Sequence, residues 1–169
     1  MPLDHPPPRE AKRGAVMKHN SRAILAGLVC SGVLLAAQAQ ELPMDKVEPA
    51  IKYRQNVMSA LGGLAGTTVG QLRDGFAYGP DLKSVAAAMQ ALSADIPALF
   101  PAGTDFGETK AKPEVWSKRQ EFEKSASKAK EAIAAFSAAA EKGDPKETFA
   151  AFKGVGNACK GCHDDFRKE

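Results

Sequence analysis

The densest chemistry in the chain is Cys159-Lys160-Gly161-Cys162-His163, close to the C-terminus. Two thiols stand three residues apart, and an imidazole follows the second directly. On a helix, positions i, i+3 and i+4 share one face. Both sulfurs then reach one edge of a flat ligand, and the imidazole turns under its centre. A porphyrin fits that arrangement, with two thioethers at its vinyl groups and one axial nitrogen on its iron. This spacing is the attachment pattern of c-type haem, so the predicted cofactor is one covalent haem c per chain.

Other chemistries of cysteine and histidine fit less well. A structural zinc site needs about four ligands. Cys30, His5 and His19 lie in the first 39 residues, which read as a removable leader. That leaves Cys159, Cys162 and His163 alone. Adjacent Cys162 and His163 would also strain a tetrahedron. A thioredoxin-like pair needs a βαβ setting, and no strand pattern is visible. A disulfide would close a very small loop inside a helix, against its preferred geometry.

The elements that must position this motif follow from the rest of the chain. Its 169 residues suffice for one domain with a core, and 44% hydrophobic residues exclude a disordered protein. Five of the 23 Lys+Arg and two of the 20 Asp+Glu precede Gln40, so 18 of each follow it. The formal charge of +3 thus belongs to the leader. Without a basic stripe interleaved with aromatics, nucleic acid is excluded as a partner.

Residues 1–16 are Pro-rich and charged, and read as an extension upstream of a true start at Met17. Residues 17–39 read as a cleaved signal peptide. Lys18, His19 and Arg22 form its positive end, Ala23 to Ala37 its apolar run, and Ala37-Gln38-Ala39 its small-x-small site. The run is too short to span a bilayer comfortably. Val29 stands before Cys30 where a lipoprotein anchor wants a small residue, so Cys30 is apolar filler. The expectation is an exported, periplasmic protein without stable membrane insertion, with residues 40–169 as its domain.

That domain shows four helical stripes. The first runs from Met44 to Ala65 with Val47, Ile51, Arg54, Met58, Leu61 and Ala65 at alternating four- and three-residue steps. Gly62-Gly63 and Gly66-Thr67-Thr68 are expected to end it. The second is capped by Asp81, carries Leu82, Val85, Met89, Leu92, Ile96 and Leu99, and stops at Pro97 and Pro101. The third opens at Pro113-Glu114 and carries Val115, Arg119, Phe122, Ala126, Ala129, Ile133, Phe136 and Ala140. Asp144-Pro145-Lys146-Glu147 starts the fourth, which aligns Phe149, Phe152, Val155 or Gly156, Cys159, and then Cys162, His163 and Phe166. Four stripes with alanine at many seams predict an all-α, antiparallel up-down-up-down four-helix bundle around the haem.

Function turns on the iron's second face. A thioether there closes the site for electron transfer, whereas an open position binds small gases. Of the methionines after Gln40, Met44 precedes the settled pattern, Met89 reads as core filler, and Met58 lies in the first stripe. Met58 is therefore the candidate sixth ligand, set against the ordinary packing role of methionine. Arg54, one turn before it, is a charge on an apolar face and needs a partner. A haem propionate would serve; snorkelling to the bundle edge is the alternative. Arg167 can meet a propionate or solvent. Asp164 and Asp165 read as a solvated face. Tyr53, Tyr78, Thr104 and Asp105 are weaker candidates for the haem edge. No second histidine remains as a distal acid/base, which argues against a peroxidase-like enzyme.

The chain resembles the class II c-type cytochromes, the cytochrome c-prime family. The resemblance rests on the C-terminal Cys159-Lys160-Gly161-Cys162-His163, followed by Asp164-Asp165-Phe166-Arg167, and on Lys52-Tyr53-Arg54-Gln55 in the first helix. Pro97-Ala98-Leu99-Phe100-Pro101 and Lys112-Pro113-Glu114-Val115-Trp116 are also similar. It covers essentially residues 40–169. It implies thioethers from Cys159 and Cys162, axial His163, and Arg54 and Gln55 near the propionates. Met58 maps onto the sixth-ligand position of the low-spin branch, of cytochrome c-556 type. The expected function is periplasmic electron transfer by a low-spin His163/Met58 haem c, serving redox partner proteins, as a monomer or homodimer. The alternative is a five-coordinate protein that binds nitric oxide or carbon monoxide.

Overall fold

The computed structural model describes residues 42–76 and 81–169. The extension, the signal peptide and its cleavage site, and Tyr78, lie outside the described residues. Among the described residues there are five α-helices: α1 (Met44–Leu72), α2 (Leu82–Leu92), the single turn α3 (Glu114–Ser117), α4 (Arg119–Lys142) and α5 (Pro145–Phe166). A 3-10 turn, Pro97–Leu99, sits between α2 and α3. Among the described residues the only extended pairing is one antiparallel bridge, Ala111 with Arg167. The four long helices form the expected bundle; α1 packs along α2, and α4 along α5.

Local chemistry starts and stops these helices as the sequence indicates. The Asp81 carboxylate accepts from the Ser84 backbone N–H at 2.9 Å and caps α2. The Asp144 carboxylate accepts from the backbone N–H groups of Lys146 and Glu147, each at 2.8 Å, with Pro145 at the first helical position. Gly143 takes φ 77° at the end of α4, a left-handed conformation that a side chain would penalise.

Three boundaries differ from the sequence reading. α1 continues past Ala65 to Leu72, through its glycines. Leu64, Ala65, Val69 and Leu72 pack on the core, and that burial outweighs glycine's low helix propensity. The Thr67 and Thr68 hydroxyls donate back to the carbonyls of Gly63 and Leu64, each at 3.0 Å, which satisfies them inside the helix rather than in a turn. α2 ends at Leu92, turns carry the chain to Ile96, and Leu99 lies in the 3-10 turn that opens at Pro97. The third helix is broken at Lys118, whose ψ of 48° is not helical. The break lets Trp116 and Arg119 both turn back to the preceding loop: Trp116 Nε1 donates to the Pro101 carbonyl at 2.9 Å, and Arg119 donates to those of Phe100 and Pro97.

The core has two parts. One joins Val85, Ala86 and Met89 of α2, Ile133, Phe136 and Ala140 of α4, and Phe152 and Val155 of α5. The other joins Ile96, Phe100, Ala111, Val115, Phe122, Ala126 and Phe166, with Met58 and Cys162 against it. Phe136 is fully buried and meets Phe152 at 5.2 Å between ring centroids. Phe136→Ala is expected to lower stability by about 3–5 kcal/mol. In a urea titration the midpoint should drop at unchanged slope.

Candidate functional site

A cavity of about 710 Å³ lies within the bundle. Cys159, Cys162 and His163 line it from α5; Arg54, Gln55, Met58, Leu61, Gly62 and Ala65 line it from α1. Met89 of α2 and Phe122, Ala126, Ala129 and Ile133 of α4 complete its apolar walls. The periodicity of α5 puts both thiols on the inward stripe with Val155 and Phe166, as expected. A Cβ placed on Gly62 would meet nothing within 4 Å, so the space beside it is open.

The thiols are half-buried and unbridged. Burial pushes the Cys159 thiol up, and pushes Cys162 up to about 11, with Cys159 and Asp165 adding to the effect. Both sulfurs are therefore protonated at neutral pH. His163 counts as exposed by area, yet enough protein surrounds its ring to lower its pKa, and the Arg167 charge lowers it further while Asp164 opposes. The imidazole is neutral near pH 7, the form that ligates a metal. A large apolar cavity, two thiols on one wall and a neutral imidazole at its rim fit a covalently attached haem. Cys159 and Cys162 would hold the porphyrin edge and His163 the iron.

Arg54 is 3% exposed, so it does not snorkel. Its Nη1 donates to Thr104 Oγ1 at 2.7 Å, and its Nη2 donates to the Thr104 carbonyl at 2.8 Å and to Thr109 Oγ1 at 2.6 Å. The guanidinium also lies over the rings of Phe100 and Trp116, at 5.0 and 5.4 Å from their centroids. Burial lowers its pKa, and no carboxylate pairs with it among the described residues. The partner required by its charge is thus, in this structure, a loop rather than a carboxylate. Gln55 acts beside it: its Nε2 donates to the Glu108 carbonyl at 2.8 Å. Both residues line the cavity, so the same pair faces the ligand space and holds the loop that borders it.

The other candidates separate. Met58 is half-buried on the α1 wall, whereas Met44 is 76% exposed. Met89 is both core and lining. Thr104 is fully buried and bound to Arg54, Asp105 is exposed, and neither lines the cavity. Tyr53 is exposed and away from the lining. Asp164 pairs with Lys160 at 2.5 Å on the surface. Arg167 is exposed at the cavity rim, and its backbone N–H donates to the His163 carbonyl at 3.0 Å.

Sequence reading missed Thr109, Lys110 and Ala111, which line the cavity from the loop. A loop has no period to reveal its inner face. They are set there by pairing with the C-terminus: Lys112 N–H donates to the Phe166 carbonyl at 2.9 Å, and Lys168 N–H to the Lys110 carbonyl at 2.7 Å.

Fold and site together define a four-helix-bundle, c-type haem protein with its attachment motif on the last helix. The family profile described as cytochrome C' matches residues 49–167, and the chain belongs to this class II cytochrome c family. It is similar to cytochrome c' of Pararhodospirillum photometricum, 36% identical over 126 residues, which are 72% of this chain and 98% of the relative. A mutant cytochrome c prime from Alcaligenes xylosoxidans, solved as its nitric oxide complex, superposes with TM-score 0.67 at 34% identity, covering 73% of this chain and 97% of that one. A carbon monoxide-bound variant of the same protein superposes with TM-score 0.68 at 34% identity, covering 73% and 98%. The cofactor is one covalently attached haem c per chain.

Thr104→Val removes a buried hydroxyl that accepts from Arg54 and donates to the Pro101 carbonyl at 2.9 Å. It is expected to cost about 1–3 kcal/mol in thermal unfolding. Thr67→Val, on the half-exposed side of α1, should cost well under that.

Proposed function

We propose that this chain is a periplasmic haem protein that binds nitric oxide or carbon monoxide on the α1 side of its iron, and is not an enzyme. The observation that carries this reading is the α1 wall. Around Met58 it offers Leu61, Gly62 and Ala65, with Ser59 beside them and no imidazole or carboxylate. Such a wall suits a small neutral diatomic and gives no group for acid/base work on a substrate. The haem iron, when bound, supplies the coordination position and a one-electron couple. His163 holds the iron from α5, the two cysteines fix the porphyrin, and Arg54 and Gln55 lie where propionates can receive their charge and hydrogen bonds. The relatives solved with nitric oxide and carbon monoxide support the same choice.

A second reading rests on Met58 itself. Its half-buried thioether lines the cavity on the helix facing that space, where it can close the iron. The protein would then be a low-spin electron carrier of the cytochrome c-556 type, passing electrons to redox partner proteins. The export signal supports the periplasm for either reading, and no helix among the described residues is long and apolar enough to cross a membrane.

The absorption spectrum and carbon monoxide titration of the holoprotein separate the two. Gas binding predicts broad high-spin bands, stoichiometric carbon monoxide uptake by the reduced protein, and little spectral change in Met58→Ala. Sharp low-spin bands with a far-red thioether band, and uptake appearing only in Met58→Ala, would make the electron carrier the function.

A further inference from the structure

The two threonines that hold Arg54 differ in where their hydroxyl hydrogens go. A hydroxyl offers one hydrogen and two acceptor sites. Thr104 Oγ1 accepts from Arg54 and gives its hydrogen to the Pro101 carbonyl at 2.9 Å. It does not line the cavity. Thr109 Oγ1 accepts twice, from Arg54 Nη2 at 2.6 Å and from the Ala111 backbone N–H at 3.1 Å. Its acceptor sites are filled, and its hydrogen reaches no acceptor among the described residues. Thr109 is half-buried and lines the cavity. Its neighbours there also have donors to offer. Arg54 uses both Nη2 hydrogens and one Nη1 hydrogen on the loop, which leaves its Nε–H and one Nη1 hydrogen without an acceptor among these residues. Gln55 gives one amide hydrogen to the Glu108 carbonyl and retains the other. Arg54 and Gln55 line the cavity too, and among the described residues no Asp or Glu does.

We propose that the Thr109 hydroxyl binds a haem propionate, donating its hydrogen to the carboxylate that Arg54 and Gln55 face. Donors gathered at one end of an apolar cavity call for an acceptor, and a buried guanidinium without a carboxylate calls for negative charge. A propionate carboxylate is an acceptor at both oxygens and carries that charge. Hydrogen bonds to an ionised acceptor are shorter and stronger than neutral ones. Thr109 then acts twice: its oxygen orients Arg54, and its hydrogen meets the same carboxylate. Thr104 performs only the first task. The assignment concerns the porphyrin edge and not the iron's α1 side, so it holds for gas binding and for electron transfer alike.

The test reads the carboxylates directly. The holoprotein is produced with aminolaevulinate labelled with carbon-13 at its carboxyl, which labels the haem propionates. Isotope-difference infrared spectra of the ferric protein then isolate their carboxylate bands. Thr109→Val keeps the side-chain shape and loses the hydroxyl. It should shift one labelled band and lower the midpoint potential, because a carboxylate with one donor fewer holds more negative charge beside the iron. Thr109→Ala should do the same, and Thr109→Ser should return both readings to the wild-type values. Thr104→Val takes from Arg54 a hydroxyl that does not face the cavity, and should move the labelled bands less than Thr109→Val does. Unchanged haem absorbance and helical circular dichroism keep a folding defect from passing as support. Bands unmoved in Thr109→Val and Thr109→Ala would overturn the proposal and give the hydrogen to solvent. An equal shift in Thr104→Val would also overturn it, leaving Thr109 as a prop for Arg54 alone, as would a shift that Thr109→Ser fails to reverse.

Discussion

A buried positive charge governs how this bundle is put together. Arg54 sits on the inward face of α1 with 3% exposure and no carboxylate beside it. An uncompensated charge in such a place is strongly unfavourable. The structure answers with three short hydrogen bonds and two aromatic faces, all from the segment between Phe100 and Trp116. That segment has little secondary structure of its own, so meeting the needs of one guanidinium gives it a shape. Thr109 reaches the cavity as a result, and Phe100 is placed to stack edge-on against Phe122 at 5.0 Å.

The loop is held a second time from the opposite side. Its end pairs with the residues after α5, the same helix that carries Cys159, Cys162 and His163. The cavity is thus framed by two unrelated devices, a buried cation on α1 and a backbone bridge at the C-terminus. Between them the helices are kept apart by what they lack. Gly62, Ala65, Ala126 and Ala129 contribute little side-chain volume, and the space they leave is walled mainly by apolar groups. A natural core is packed to crystal-like density, so an opening of this size marks where a large ligand belongs.

The bundle, its caps and its inward stripes were legible in the sequence because they are periodic or local. Six of the seven buried positions of α4, Phe122, Ala126, Ala129, Ile133, Phe136 and Ala140, are those its spacing indicated; Ala139 is the seventh. Asp81 and Asp144 cap the helices that their positions announce. The misread boundaries share one cause. Gly62, Gly63 and Gly66 carry weak local penalties, and long-range burial of Leu64, Val69 and Leu72 overrode them. The break at Lys118 is likewise set by distant carbonyls in the loop.

By itself the sequence determined the attachment chemistry and the helix that presents it. Two thiols and an imidazole at helical spacing can meet one porphyrin whatever surrounds them, since the geometry is local to a turn and a half of backbone. It also named Arg54 as a charge in need of a partner. Only the tertiary structure decided that partner and the loop residues that wall the cavity. Of those residues Thr109 lies 55 positions from Arg54, in a segment without periodicity. Their neighbours are chosen by buried hydrogen bonds and backbone pairing, which no local pattern encodes.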